Sequence, residues 1–537
     1  MPVYDVLIRN GLIVDGSGSE PTMGDVAIQG DMIAAVGEVA GNGRFQIDAH
    51  GAAISPGFIN MMCWANESLI ADGRSQSDIR QGVTLEVLGE GWSMGPVNDK
   101  LKAYMKARQG DIRYEIEWDT LDGYLQYLVQ RGVSPNVGSF VGAGGIRAYV
   151  VGFDDRRPTP DELAQMQSLV RQAMAEGALG LSSALIYAPD MYAHTAELIA
   201  LAQAAAEVDG IYITHLRSEG ARFLEALDEF FTIVEQADIR GEIYHLKAAG
   251  RRNWHKLAEV IRRVEAKRAA GWPITADMYP YRASSTGLDA LMPGWALEGG
   301  HDAWVARLKE PETRARVLAD LRYTGDDREN LFMELETADN ILLTAFKNDA
   351  LKPFSGKTLT EVAALRGQDP LETALDLIIE DDSRVGTVFF SISEENVRRE
   401  VGLPWVSFCS DSASLAAEGV FLNTHPHPRA YGAFARVFAK YVRNEGVMSL
   451  AEAVRRMSAL PAANLKLDRR GRLQSGYFAD VVVFDPDTVQ DHATFAQPHQ
   501  YATGVQHVLV NGVSVIWDGE HTGARPGRVV RGPGWRG

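Results

Sequence analysis

The chain has 537 residues, of which 46% are hydrophobic and 23% charged, and its formal net charge is −18. That charge opposes binding to nucleic-acid phosphates or anionic membranes, both of which need a positive surface, and no uninterrupted apolar run approaches the roughly 20 residues of a membrane span. Two cysteines, Cys63 and Cys409, are too few for a disulfide framework, and the opening residues Met1-Pro2-Val3-Tyr4-Asp5-Val6 carry no basic region followed by an apolar stretch. A cytoplasmic protein of more than one domain, acting on a small molecule, is expected, and self-association is left open.

The first 55 residues read as β-structure. Two short apolar runs flank Asn10-Gly11, a hairpin signal, and residues 25–37 repeat the form. The C-terminal stretch matches it, with a strand at 479–485 and a hairpin around Asn511-Gly512. The two chain ends, 1–55 and 475–537, are expected to pair into one small β-sandwich domain.

Between them, strand-like runs fall at 57–62, 83–89, 135–141, 178–184, 210–215, 242–246, 273–279 and 404–411. Helical patterns lie between most of them, at 161–176 behind the cap signal Thr159-Pro160, at 195–208 and at 254–270. This alternation predicts an α/β fold, a (β/α)8 TIM barrel over 56–474. About 125 residues separate the seventh run from the eighth, more than one helix needs. An inserted lid lobe, roughly 284–350, is expected over the mouth.

Catalytic residues in such a barrel sit at the C-terminal strand ends. His215 ends the fifth run and His245 the sixth. Two imidazoles on adjacent strand ends can converge on one metal ion. Asp411 ends the eighth run, where a carboxylate can take a proton from water and pass it to a leaving amine.

At these residues the chain resembles the D-aminoacylase branch of the amidohydrolase superfamily, the N-acyl-D-amino-acid deacylases. The resemblance runs from Asp5-Val6-Leu7-Ile8-Arg9-Asn10-Gly11 through Ser55-Pro56-Gly57-Phe58-Ile59-Asn60 and Arg80-Gln81-Gly82-Val83-Thr84. It continues through His215-Leu216-Arg217-Ser218-Glu219, His245-Leu246-Lys247 and Tyr279-Pro280-Tyr281-Arg282-Ala283-Ser284-Ser285. It closes with Ser410-Asp411, His427-Pro428-Arg429-Ala430-Tyr431-Gly432 and Gly476-Tyr477-Phe478-Ala479-Asp480. It implies that His215 and His245 bind zinc, that Asp411 is catalytic, and that Lys247, Tyr281 and Ser285 lie at the substrate.

The departures are equally specific. The family's strand-one His-X-His is replaced by Met62 and Trp64, and its strand-two cysteine falls on Gly91. Glu90 is the nearest replacement ligand, although strand alternation gives it the opposite parity to Gly91; Glu86 shares its parity but lies deeper. At most one divalent ion, zinc, is therefore expected, on His215, His245 and Glu90, with Trp64 as an apolar wall. Arg429 and Arg282 are candidates for a substrate carboxylate. Cys409 reads as a small buried hydrophobe, Cys63 as turned from the axis, and His425 and His427 as loop structure. The expected reaction is hydrolysis of a C–N amide bond in an N-acyl-(D-)amino acid. The alternatives are a cyclic amidase or imidase, or a non-catalytic descendant that binds a small ligand.

Overall fold

In the computed structural model, which describes residues 2–325 and 329–537, short buried strands alternate with helices from Phe58 to Phe408. Three of them, Phe58–Asn60, Val83–Leu88 and Asn136–Ser139, pair in parallel in that order. Six more, Val141–Gly142, Gly180–Ala184, Ile211–His215, Arg240–Ile243, Ile274–Met278 and Val406–Phe408, form a second parallel sheet, again in chain order; Val141–Gly142 continues the Asn136–Ser139 strand after Phe140, so the two sheets hold eight successive strands. Their runs are buried on both faces and mix apolar residues with buried polar ones such as Ser182, Glu242 and Asp277.

Hydrogen bonds cross both seams between these sheets. At one seam, Phe140 donates its N–H to Leu88 O (2.9 Å) and Leu179 donates to Ser139 O (2.9 Å). At the other, Asp411 N–H reaches Met62 O (3.1 Å) and Trp64 N–H reaches Ser412 O (2.9 Å). The buried Asn60 side chain reinforces the second seam: its Oδ1 accepts from Ser410 N–H (2.8 Å), and its Nδ2 donates to Ser410 Oγ (2.8 Å) and Glu86 Oε2 (3.0 Å).

The helices follow their local signals. Pro160–Ala175 begins with a capping box, Thr159 accepting from Glu162 N–H while Glu162 accepts from Thr159 N–H. Thr195–Ala206 lies where the apolar periodicity put it. The helix expected from residue 254 starts at Leu257, because Arg251–Lys256 winds as a tighter 3-10 turn ahead of it.

Strands from both chain ends share one nine-stranded sheet. Ala53–Pro56 lies inside it, parallel to Val3–Ile13 on one side and antiparallel to Val481–Phe484 on the other. The two chain ends thus share one continuous hydrogen-bonded sheet. The hairpin expected at Asn10-Gly11 does not form. Val3–Ile13 is a single strand with an irregularity between Ile8 and Gly11, and Asn10 sits at φ 57°. Neighbours hold that bulge in place: Asp25 Oδ1 accepts Asn10 N–H (3.0 Å) and Asp48 Oδ1 accepts its side-chain amide (3.2 Å). At Asn511-Gly512, φ 49° and 79°, the same dipeptide does turn the chain, between Val505–Val510 and Val513–Trp517.

The inserted lobe extends beyond residue 350. Its entry strand Ser284–Gly287 pairs with Gly386–Phe389, which pairs in turn with Ile341–Ala345. Leu288, Trp304, Leu343, Leu375, Ile378 and Phe389 belong to a separate apolar core within it. The helices Leu359–Arg366 and Pro370–Asp381 fill that core, so the return strand lies far downstream of the expected boundary. Residues 326–328 of the expected lobe lie outside the described residues.

Asp480 fastens the terminal sheet to the parallel strands. Its side chain is ion-paired with Arg470, accepts Asn511 N–H (2.8 Å) and receives the Asn136 amide (3.3 Å), while its carbonyl accepts Gly57 N–H (2.8 Å). Removing one partner of a nearly buried pair leaves the other charge uncompensated. Asp480→Ala is expected to lower unfolding stability by about 3 kcal/mol in urea titration; a loss below about 1 kcal/mol would show that the joint does not depend on this carboxylate.

Candidate metal centre

Three buried side chains from separate strand ends converge. Glu90 Oε1 lies 3.1 Å from His215 Nδ1 and 2.9 Å from His245 Nε2, and the two imidazole rings meet edge to face with centroids 4.4 Å apart. Ligand atoms of these three residues all lie within 4.8 Å of one another. A set of two imidazoles and a carboxylate suits zinc. His215 Nε2 is buried without a hydrogen-bond partner among the described residues, so this ring is held only through Nδ1 on its polar edge.

The backbone after the second strand explains how Glu90 reaches the site despite its parity. Gly89 has φ 97° and Gly91 φ 59°, so regular alternation ends at Leu88. Ser182 Oγ accepts Gly91 N–H (3.1 Å) and fixes the turn. Gly91 has no room for a ligand of its own: a Cβ there would lie 2.5 Å from Ala184 Cβ. Glycine thus replaces cysteine where the turned backbone excludes a side chain, and the preceding carboxylate is delivered instead.

A second layer surrounds the three ligands. Lys247 Nζ donates to Glu219 Oε1 (2.6 Å) and to the His245 carbonyl (3.0 Å), and lies 2.8 Å from His245 Nδ1. Glu219 Oε1 is 3.3 Å from His245 Nδ1 and 3.6 Å from His215 Nε2. Asp277 Oδ1 accepts His245 N–H (2.7 Å) and the Cys409 thiol (3.2 Å). This fixes His245 at φ 32°, a left-handed conformation that needs such support.

The electrostatics reflect that crowding. Burial and Lys247 oppose a charge on His245, yet Glu219 and Glu90 together push its pKa up to about 10. Burial would raise Glu90, but hydrogen bonds from His215 and His245 hold it far below the usual carboxylate range. Burial raises Asp277 to about 6 and also raises Asp411, against the pull of the Arg429 guanidinium.

Asp411, at φ 46°, Lys247, Ser285 and Trp64 line the same cavity of about 720 Å³ as Glu90, His215 and His245. Ser285 spends its hydroxyl on Thr387 O (3.0 Å). Arg429 and Tyr281 are not among the lining residues. Arg429 is buried, ion-paired with Asp411 Oδ2 (2.7 Å) and stacked on Tyr279 (4.3 Å). Tyr281 turns away, against His427 (5.2 Å) and beneath Arg436 (4.7 Å). Tyr279, two residues earlier, lines the cavity in its place. Arg282 stacks on Phe390 (5.4 Å) outside the cavity.

His427 bridges Ala283 O (3.0 Å) and Arg429 N–H (2.9 Å), and His425 reaches Phe495 O (2.6 Å), so both serve the loop. Met62 and Cys63 are buried, and Glu86 is tied to Asn60 and Ser75 below the site. Sequence reasoning missed Glu219, Tyr187 and Arg384. Glu219 was visible four residues after His215; Arg384 enters from the lobe, with no local signal tying it to the strand ends.

The chain matches the amidohydrolase family over residues 145–516. It is similar to the D-aminoacylase of Alcaligenes xylosoxydans xylosoxydans, with 32% identity over 98% of this chain and 97% of that protein. It is likewise similar to the N-acyl-D-aspartate deacylase of that organism, with 32% identity over 98% of this chain and 95% of that one. Its structure is similar to the N-acyl-D-glutamate deacylase from Bordetella bronchiseptica, solved in complex with zinc and a phosphonate inhibitor that mimics the tetrahedral intermediate; the TM-score is 0.81, with 30% identity over 99% of this chain and 100% of that one. With its strand-end histidines and full-length similarity, the chain belongs to the amidohydrolase family, in the branch that holds the D-aminoacylases.

Proposed function

We propose that the protein is a one-metal deacylase of N-acyl-D-amino acids, with zinc held by Glu90, His215 and His245. The observation that carries this reading is the convergence of those three buried side chains in the cavity that Asp411 lines. Lewis acidity that polarises an amide carbonyl and acidifies water is what a bound divalent ion supplies there. Asp411 takes a proton from the attacking water and returns it to the departing amine nitrogen, as the C–O bond forms and the C–N bond breaks. Burial favours the protonated form of Asp411, and Arg429 at 2.7 Å favours the ionised one, a balance suited to moving a proton in both directions. Lys247 and Glu219 orient His245.

The reading also covers architecture. The two parallel sheets, hydrogen-bonded at both seams, are one (β/α)8 barrel, the paired chain ends are a second domain, and the lobe that begins at Ser284 is a lid supplying one wall of the cavity. No helix among the described residues is long and apolar enough to cross a membrane, and the cavity suits a small-molecule substrate.

One ion rather than two follows from the replaced positions. Met62 offers a soft thioether and Trp64 only a donor N–H, and neither substitutes for an imidazole on zinc. Metal analysis of the purified protein should give no more than one tightly held ion per chain, and His245→Ala should lose both ion and activity. Near-stoichiometric loading with two ions, or full activity after complete metal removal, would refute this.

The role of Asp411 is separable from binding. Asp411→Asn should keep the ion but reduce kcat by roughly 10²–10⁴-fold, the range of a lost acid–base group, with a smaller change in KM. Near-normal turnover by that variant would move the proton transfer to another group.

A further inference from the structure

A second chamber of about 440 Å³ opens on the other side of Glu90. It shares Trp64, Glu90, Tyr187 and Arg384 with the first chamber, so the ligand site stands at the junction. Its far walls are aromatic. Trp92, Tyr104 and Phe153 pack together, with the Tyr104 and Phe153 centroids 4.7 Å apart and Trp92 stacked on Phe153 at 6.5 Å, and Trp304 enters from the lobe.

An N-acyl amino acid held by its carbonyl has two arms. The amine arm carries a carboxylate and needs donors; the acyl arm needs only shape and apolar contact. The first chamber supplies hydroxyl donors, Ser284 and Ser391, the Oγ of Ser391 being buried without a hydrogen-bond partner among the described residues, and Lys247, whose Nζ is shared with Glu219 and His245. In the second chamber the arginines are already paired, Arg108 with Asp302 (2.5 Å) and Arg384 with Asp289 (2.9 Å), and no lysine lines it among the described residues. Its size falls within the ~300–1,000 Å³ of pockets that enclose drug-sized ligands, far more than an acetyl group fills.

We propose that this aromatic chamber is the acyl subsite, and that the substrates are N-acyl amino acids with a bulky apolar acyl group, aryl-substituted or medium-chain alkyl, rather than acetyl. The proposal rests on the deacylase reading above. It assigns Leu297, which lines only the second chamber, to specificity rather than chemistry.

The test is a series of N-acetyl-, N-butanoyl-, N-hexanoyl- and N-phenylacetyl-D-leucine and -D-glutamate on the metal-loaded enzyme. Along the alkyl series kcat/KM should climb by up to about fourfold for each methylene the chamber covers, and phenylacetyl should exceed acetyl by at least tenfold. In Leu297→Trp, which fills the chamber, the hexanoyl-to-acetyl ratio should fall at least tenfold, and calorimetric binding of phenylacetate to the protein should weaken in parallel. A flat or declining series in the wild-type enzyme, with acetyl cleaved, would overturn the acyl subsite while leaving the deacylase intact. An unchanged ratio in folded Leu297→Trp would overturn it equally. Failure to cleave any member, with metal bound, would overturn the deacylase reading itself.

Discussion

A buried carboxylate must have partners, and at Glu90 that requirement ties three strand ends together. Glu90 has almost no contact with water, and its Oε1 faces His215 and His245 at hydrogen-bonding distance. Isolated burial of such a charge costs several kcal/mol or more, so one atom links the ends of the second, fifth and sixth parallel strands. The outer layer extends the same logic. Lys247 and Glu219 occupy the other edge of His245, and Asp277 holds its backbone. Each charge next to the ligands is met by another group, which keeps the imidazoles in one orientation.

The same economy of contacts presents Asp411. The seam between the first and last parallel strands is sealed by Asn60, whose amide satisfies Ser410 on both backbone and side chain, one residue before Asp411. Asp411 then leaves the strand at a left-handed φ and donates its own N–H to Met62 O. Arg429 completes the arrangement from behind. The arginine expected at a substrate carboxylate is ion-paired with Asp411 and also meets the Tyr279 ring and the Ser285 carbonyl.

The lobe changes the shape of the space rather than its chemistry. Its entry and return strands pair beside the mouth, and Arg384, from the return side, lies over Tyr187 at 4.8 Å. That contact, with Trp64, stands between a donor-rich chamber and an aromatic one. Trp64, at a position where the resemblance implies a histidine, lines both chambers.

Much was legible from sequence because it is written locally. The periodicity of the strands, the Thr159–Glu162 capping box and the motifs around His215, His245 and Asp411 depend on residues within a few positions of one another. Long-range relations were not legible. Asn-Gly made a turn at 511–512 and a bulge at 10–11, because Asp25 and Asp48 on neighbouring strands satisfy Asn10 and let its strand continue. The reach of the lobe depended on Gly386–Phe389 pairing a hundred residues back, with Ser284–Gly287. Tyr279 and Tyr281 have the same parity beyond the strand end at Met278, yet Tyr279 lines the cavity while Tyr281 packs with His427 and Arg436. The sequence by itself determined the residue types able to bind a metal and move a proton. The tertiary structure decided that Glu90 rather than Gly91 reaches the histidines, because two left-handed glycines turn the backbone and Ala184 leaves no room for a Cβ at Gly91.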